Sequence, residues 1–408
     1  MTAFPLNVVA EYGSTIGYFI YAVLGLFFGF ILESAGFGNS RKLAAQFYFK
    51  ELTVFKVMFT AIIVAMVLIF LSSSLGLLDY QLIWVNPTYL WPGILGGLIM
   101  GAGFIIGGFC PGTSLVAAAT LKLDGIFFVL GVLLGIFIFG DTVDFYSEFF
   151  NGSYFGRVTL PEIFNLSYGT VVLLVVLMAL AMFWGAEWLE NALSDFPPPP
   201  KWRLPAAVAL ASLATITLIL GQPDLSDRWL WIAGTEQTRI ENREIYVSPM
   251  EVATLQNDRQ IRVRLLDIRG QSDFNSFHIR EAEHTPLDKI QSLARDLIDQ
   301  PANTVNIIAG NGELRATQAW KQLRAASIPN LYVLEGGVNG WIRQFAPQSF
   351  LLDSKQPESG SDEVGFHFAK ALGNRYPMAS PNLLAFPEPF VDKVKLEVKR
   401  APAGGGCG

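Results

Sequence analysis

This chain has two cysteines, Cys110 in GGFCPGTS and Cys407 in APAGGGCG, and each stands where a thiol could work. The thiolate is the nucleophilic form of the side chain, and it reacts where it is reachable and electrostatically supported. Cys110 precedes Pro-Gly-Thr-Ser, a break followed by a helix start. It is either a small buried apolar residue, as most free cysteines are, or a thiol set at the break for chemistry. Cys407 follows three glycines, which leave the backbone with almost no conformational preference. That stretch is either a frayed end or a tether that keeps one thiol reachable by several partners in turn. Two cysteines are too few for a disulfide framework, and no Cys/His cluster suggests a metal, so neither metal nor cofactor is expected.

The elements that must position Cys110 are membrane spans. Of 408 residues 51% are hydrophobic and only 16% charged, whereas soluble domains carry roughly a quarter charged residues. A net charge of −6 argues against a nucleic-acid partner. Crossing hydrocarbon of about 30 Å takes roughly 20 apolar residues. Six runs qualify: Ile16–Leu32, Leu52–Leu77, Tyr89–Phe109, Gly125–Gly140, Tyr168–Trp188 and Leu204–Leu220. MTAFPLNVVAEYGST lacks a basic n-region, so the first run is expected to persist as a helix. Short-loop cations mark the cytoplasmic side. Arg41, Lys42 and Lys50 follow the first run, Lys122 the third, and Lys201 and Arg203 the fifth. The alternate loops carry Asp79, Asp141, Asp144 and Glu148 with a single arginine, Arg157. Both termini are therefore expected outside the cytoplasm.

Residues 25–57 align without a gap on residues 97–129, with about ten of the thirty-three positions matching, among them Gly25/Gly97, Gly36/Gly108, Phe37/Phe109 and Lys50/Lys122. A period of 72 marks a duplicated membrane unit. Each copy has a glycine-spaced span, a break at GFGNS or GFCPGTS, and a helix of about ten residues, too short to cross and so re-entrant or interfacial. Asn39 or Ser40 in one copy, and Thr113 or Ser114 in the other, are the expected N-caps. Broken backbone at membrane depth is tolerated where it lines a cavity, and helix N-termini aimed there suit an anion.

GGFCPGTSLVAAA after GLIMGAGFIIG resembles the signature of the YeeE/YedE-type sulphur transport family. The resemblance implies pseudo-symmetric halves that carry thiosulfate or a related sulphur anion past cysteines in the broken-helix loops. Cys110 matches one such position, and the substrate pathway is expected along the two breaks at Cys110, Gly108, Gly112, Thr113, Ser114, Gly36, Gly38 and Ser40. Gly38 stands where the first copy would hold a matching cysteine. The similarity is good over roughly residues 15–145 and rests on hydropathy alone over 146–222.

Beyond residue 222 strand and helix patterns alternate, as in a small α/β domain with a parallel sheet. LLDIRGQSDFNSFHIREAEHTP and LYVLEGGVNGW resemble a rhodanese domain through Asp267, Arg269, His278, Ile279, Gly336, Gly337 and Trp341. That family carries its nucleophile in a C-x-x-G-x-R loop after the fourth strand. The corresponding stretch here is IIAGNGELRAT: with Arg315 on the loop arginine, Gly310 falls on the cysteine and Ala309 beside it. The resemblance therefore implies a domain that is not an enzyme through its own loop. Arg315 remains as an anchor for an anion or a partner, or as a solvated arginine at a helix start.

The expected organisation is a polytopic α-helical membrane domain at 1–222, a linker at 223–245, a rhodanese-like domain at 246–346, an extension with a terminal strand at 347–400, and a Gly-Cys tail at 401–408. The terminal strand is VDKVKLEVKR, which alternates apolar and charged residues. The tail resembles the Gly-Gly-Cys-Gly arm of SoxY sulphur carriers, which implies Cys407 as a sulphur carrier. Two functions follow. One is transport of a sulphur-containing anion across a bacterial inner membrane, with a periplasmic C-terminal domain and sulphur-oxidation or sulfurtransferase proteins as partners. The other is a membrane-anchored sulphur carrier or docking module without transport. Assembly into an oligomer is compatible with either.

Overall fold

In hydrocarbon a backbone can satisfy its N–H and C=O groups only internally, so long apolar runs become helices. Six such helices form in this computed structural model, with mean hydropathy between 1.8 and 2.7. The structure describes residues 4–6, 8–49, 51–83, 85–193, 202–298, 300–301, 303–347, 362–366, 368, 371, 373–386 and 389–396. Lys50, Lys201 and the tail with Cys407 lie outside the described residues. Two compact units part between Gln222 and Pro223.

The first unit runs α1 (Ser14–Ser34), α2 (Ser40–Ala45), α3 (Thr53–Ser74), α4 (Leu90–Gly107), α5 (Pro111–Ala119), α6 (Leu123–Thr142), α7 (Tyr168–Leu193) and α8 (Arg203–Leu220). The two short helices, α2 and α5, each follow a long one at the same place in the duplicated sequence. Over its most apolar stretch α1 is 6% buried, and the span beginning with α6 is not buried at all. Apolar surface on that scale needs lipid or another apolar surface against it. The span beginning at Tyr168 is 33% buried, because α7 packs on α3 and α8 around Ile63, Val67, Val172, Val176 and Ala214. At the far end of α7, Glu190 accepts the Leu52 N–H at 2.7 Å and pairs with Lys56, which neutralises a buried carboxylate.

The second unit opens on a helix rather than a linker: α9 (Leu225–Glu241). Its cap is Asp224, which accepts the Asp227 N–H at 2.8 Å. Trp229 then packs edge-on to Trp320 with ring centroids 6.4 Å apart, so burial of one aromatic face stabilises a segment that looks polar in sequence. Five strands follow: β1 (Tyr246–Val247), β2 (Arg262–Asp267), β3 (Ala282–His284), β4 (Thr304–Ala309) and β5 (Leu331–Leu334). All are parallel, in the order β1-β5-β4-β2-β3. The central β4, TVNIIA, is buried at every position, as a parallel strand covered on both faces must be. α10 (Pro249–Asn257) and α12 (Gly337–Phe345) cover one face around Val305, Ile307 and Trp341, and α11 (Leu314–Ala325) covers the other around Ile308, Trp320 and Val333.

The described part of the extension belongs to this core. Phe366, Met378 and Ala379 are buried in it, and the Trp341 indole donates to the Met378 carbonyl at 2.7 Å. The alternation in VDKVKL does not make a strand over 391–396. Side chains take the place of a strand partner there. Glu251 accepts the N–H groups of Lys393 and Val394 at 2.9 and 2.8 Å, and the Tyr332 hydroxyl accepts from Lys395 N–H at 2.9 Å.

Burial pushes the Glu251 carboxyl above the usual carboxylate range, although the two backbone N–H groups pull it down. The folded domain therefore binds this proton more tightly than the unfolded chain. Its stabilising contribution is full below the unfolded pKa and is lost as pH rises through the folded one. Glu251→Gln keeps an acceptor for both N–H groups and removes the titration. We expect it to flatten the part of the fall in melting temperature that sets in as pH rises above the ordinary carboxylate range, about pH 4. An unchanged slope would show that Glu251 is not its source.

Candidate functional site

The two breaks in the membrane unit meet. In the first copy the helix ends at Ser34, Gly36 takes a φ of 84°, and Phe37 turns inward. In the second, Gly108 ends α4 with a φ of 71°, and Phe109 turns inward at the matching position. Phe37 and Phe109 share one core with Leu43, Val54 and Ala117. The partners are exchanged: α1 of the first copy packs on α5 of the second, and α2 of the first on α4 of the second. This interlock is what fixes one break against the other.

Of the expected caps, Asn39 serves α2 by accepting the Arg41 N–H at 3.1 Å. In α5 the cap is neither Thr113 nor Ser114 but Cys110 itself. Its Sγ accepts the Thr113 N–H at 3.5 Å, while Thr113 Oγ1 accepts the Cys110 N–H at 3.0 Å, a reciprocal pair. Pro111, which has no N–H to satisfy, fills the first helical position. Ser114 turns back to the Pro111 carbonyl at 2.8 Å. The thiol is thus half-exposed at the N-terminus of a nine-residue helix, where N–H groups converge on an acceptor. A Cβ at Gly112 would meet nothing within 4 Å, so there is open space beside the cysteine.

Around the break lie polar groups of which sequence reasoning singled out Ser40 for the site but not Glu33, Lys122 or Asp124. Lys122 pairs with Glu33 at 3.0 Å, and the Ser40 hydroxyl donates to Asp124 at 2.7 Å. A Cβ at Gly38 would lie 2.2 Å from Glu33 Oε2 and 2.9 Å from Lys122 Nζ. So the space that a first-copy cysteine would use is filled by this ion pair. One signal was available, since Glu33 directly follows the first apolar run and is the sole acid of α1.

Gly108 is required twice over: its φ is in the left-handed region, and a Cβ would come 3.0 Å from both the backbone oxygen and Cβ of Ser40. Gly108→Ala should cost about 1–2 kcal/mol from the backbone alone. Separation of the two breaks would come on top. We expect a lower melting temperature and a Cys110 that reacts faster with a maleimide. Unchanged thiol reactivity would mean that the contact does not shield the site.

In the second unit, β4 leads into the loop Gly310-Asn311-Gly312-Glu313 and then α11. Asp267 and Arg269, both 1% exposed, pair at 2.7 Å, and Arg269 also donates to the Phe277 carbonyl at 2.6 Å and to Asn311 Oδ1 at 3.4 Å. At the other side, Val338 N–H donates to Gly310 O at 2.8 Å. A Cβ on Gly337 would lie 2.7 Å from that oxygen, which is why the turn needs glycine there. His278 bonds the Phe274 carbonyl at 2.8 Å and stacks on its ring, with centroids 3.9 Å apart.

Arg315 is 58% exposed and is held by a carboxylate of the same chain. Asp362 Oδ2 lies 3.1 Å from its Nε, and Asp362 Oδ1 accepts the Gly312 N–H at 3.5 Å. Asn311 fixes the approach by donating to the Asp362 carbonyl at 2.8 Å. Burial pushes the Asp362 carboxyl above its ordinary range, against the Gly312 N–H and Arg315. The side chain of Asp362 therefore occupies the mouth of the loop.

A cysteine placed in this loop would meet a crowded backbone. A Cβ on Gly310 comes 2.9 Å from Gly312 O and 3.6 Å from Asp362 Oδ1. Gly310→Cys is expected to give no transfer of sulphur from thiosulfate to cyanide above the wild-type background. Thiocyanate formed at many times that background would show the loop to be competent.

A family model described as sulphur transport matches residues 34–238. A second, described as a rhodanese-like domain, matches residues 248–344. No curated protein and no solved structure matches the chain.

Proposed function

This chain belongs to the sulphur transport family, and on that premise we propose that its membrane unit moves thiosulfate or a closely related sulphur-containing anion. The observation that carries the reading is the thiol cap: Cys110 Sγ sits at the N-terminus of α5, half-exposed, where backbone N–H groups favour an acceptor. A sulphur anion reaching the break meets a soft S–H donor and those N–H groups together. Thr113 and Ser114 hold the helix start, Gly112 leaves room beside the thiol, and Gly36, Gly38, Gly108 and Ser40 bring the two breaks into contact.

The rhodanese-like domain serves binding rather than turnover, since residues 248–344 contain no cysteine. Arg315 offers its charge to an anion or a partner protein, and Cys407 acts as a carrier thiol. The membrane is the bacterial inner membrane, with the C-terminal domain on the periplasmic side, where sulphur-oxidation or sulfurtransferase proteins would meet it.

The test is uptake of sulphur-labelled thiosulfate by cells lacking their own transporter. Expression of the full chain should raise uptake several-fold over an empty vector. Inserted protein that gives no rise would leave the anchored carrier as the better account, and labelled sulphur would then be sought on Cys407.

A further inference from the structure

The segment joining α6 to α7 contains Asp144, Glu148 and Glu162 but only one cation, Arg157. It is fastened in place by backbone pairing, with Thr88 N–H donating to Gly156 O at 2.8 Å and Phe155 N–H to Thr88 O at 2.9 Å. Arg157 is carried by this pairing to the end of α3. There its guanidinium lies 5.4 Å from the centroid of the Tyr80 ring. Tyr80 belongs to a three-ring cluster, 5.0 Å from Phe70 and 5.5 Å from Tyr168, with Phe70 and Tyr168 5.4 Å apart.

Two polar atoms at this spot are buried without a hydrogen-bond partner, Arg157 Nε and Thr159 Oγ1. Among the described residues Arg157 makes no ion pair. Thr159 precedes a five-residue helix, yet its hydroxyl makes no capping bond to it. Tyr168 stands beside both groups, its hydroxyl against the Thr159 side chain and within electrostatic reach of Arg157 and Glu162. Buried donors are almost always satisfied, so the Arg157 guanidinium N–H, with the Thr159 hydroxyl two residues on, points to an acceptor supplied from outside the chain. One group with two charged oxygens would satisfy both, and the aromatic walls would strengthen the contact by excluding water.

We propose that Arg157 and Thr159, walled by Tyr80 and Tyr168, form a binding site for a small inorganic oxyanion such as sulfate or thiosulfate. The site lies at the end of the membrane unit where α3 finishes and α7 begins. α1 and α4, which lead to the two breaks, both begin at that end. As the first cation met by a sulphur anion it rests on the transport reading, but the binding itself does not.

The test is calorimetric titration of the full chain, purified in phospholipid-free detergent, with sulfate and then thiosulfate. Wild type should bind both, Arg157→Gln should weaken binding at least tenfold, and Thr159→Val should weaken it several-fold. If Arg157→Gln does not fold, Thr159→Val alone decides. Equal binding by wild type and the folded variants would overturn the site. So would occupancy by phosphatidylglycerol alone with no response to the free anions, since the ligand would then be a lipid phosphate. Arg157-dependent binding without any uptake would keep the site while removing the transport reading. Cys110-dependent uptake with no Arg157-dependent binding would do the reverse.

Discussion

Cys110→Ser should keep the fold of the break and lose thiosulfate uptake at least tenfold, whereas Cys110→Ala should lose both uptake and some stability. The two substitutions separate the jobs that the thiol does. As a cap, Sγ accepts the Thr113 N–H. Serine at that position accepts the same bond at least as well, while alanine forfeits it at a cost of about 0.5–2 kcal/mol. As a substrate contact, sulphur is large, polarizable and only weakly hydrogen-bonding, and the smaller, harder hydroxyl does not reproduce it. Uptake and melting temperature, measured on the same preparations, distinguish the two jobs. Serine at wild-type uptake would reduce Cys110 to a cap and remove the main support for a pathway through this break. Loss with both substitutions, and loss of stability with alanine alone, is the pattern that the geometry requires.

The parts of this molecule legible in sequence are those set by local pattern. Apolar length placed six spans, and the alternation of strand and helix patterns beyond residue 222 placed a parallel α/β domain. The cap of α5 fell three or four residues from where side-chain preference put it, because a thiol is a weak acceptor and Thr113 and Ser114 are strong candidates. Thr113 takes part all the same, from the third helical position. Glu33 and Lys122 stand 89 residues apart, so no local pattern could pair them. Asp362 reaches Arg315 from a stretch with no periodicity at all, and its effect on the loop is visible only once the chain is folded. Two readings failed for a common reason. Residues 225–241 look polar and form a helix because Trp229 finds Trp320, while residues 391–396 alternate like a strand but find side chains instead of a strand edge.

Arg269→Ala should be the most damaging single change in the second unit. Both partners of its ion pair are 1% exposed, so truncation leaves the Asp267 carboxylate buried and uncompensated. Such a loss costs about 3–5 kcal/mol, against the roughly 5–15 kcal/mol that holds a typical domain together. The same arginine donates to the Phe277 carbonyl and to Asn311, so its removal also frees the loop that Asp362 occupies. Replacing the pair together, Asp267→Leu with Arg269→Met, removes both charges and should cost less than Arg269→Ala alone, because an apolar pair carries no desolvation penalty. Urea unfolding of the full chain in detergent gives the stabilities, and amide exchange at Asn311 and Gly312 gives the loop. If the double replacement is the worse of the two, what the loop needs from Arg269 is its donors rather than the neutralisation of Asp267. In that case Arg269→Lys, which restores the charge without the planar fork, should fail to slow exchange at Asn311.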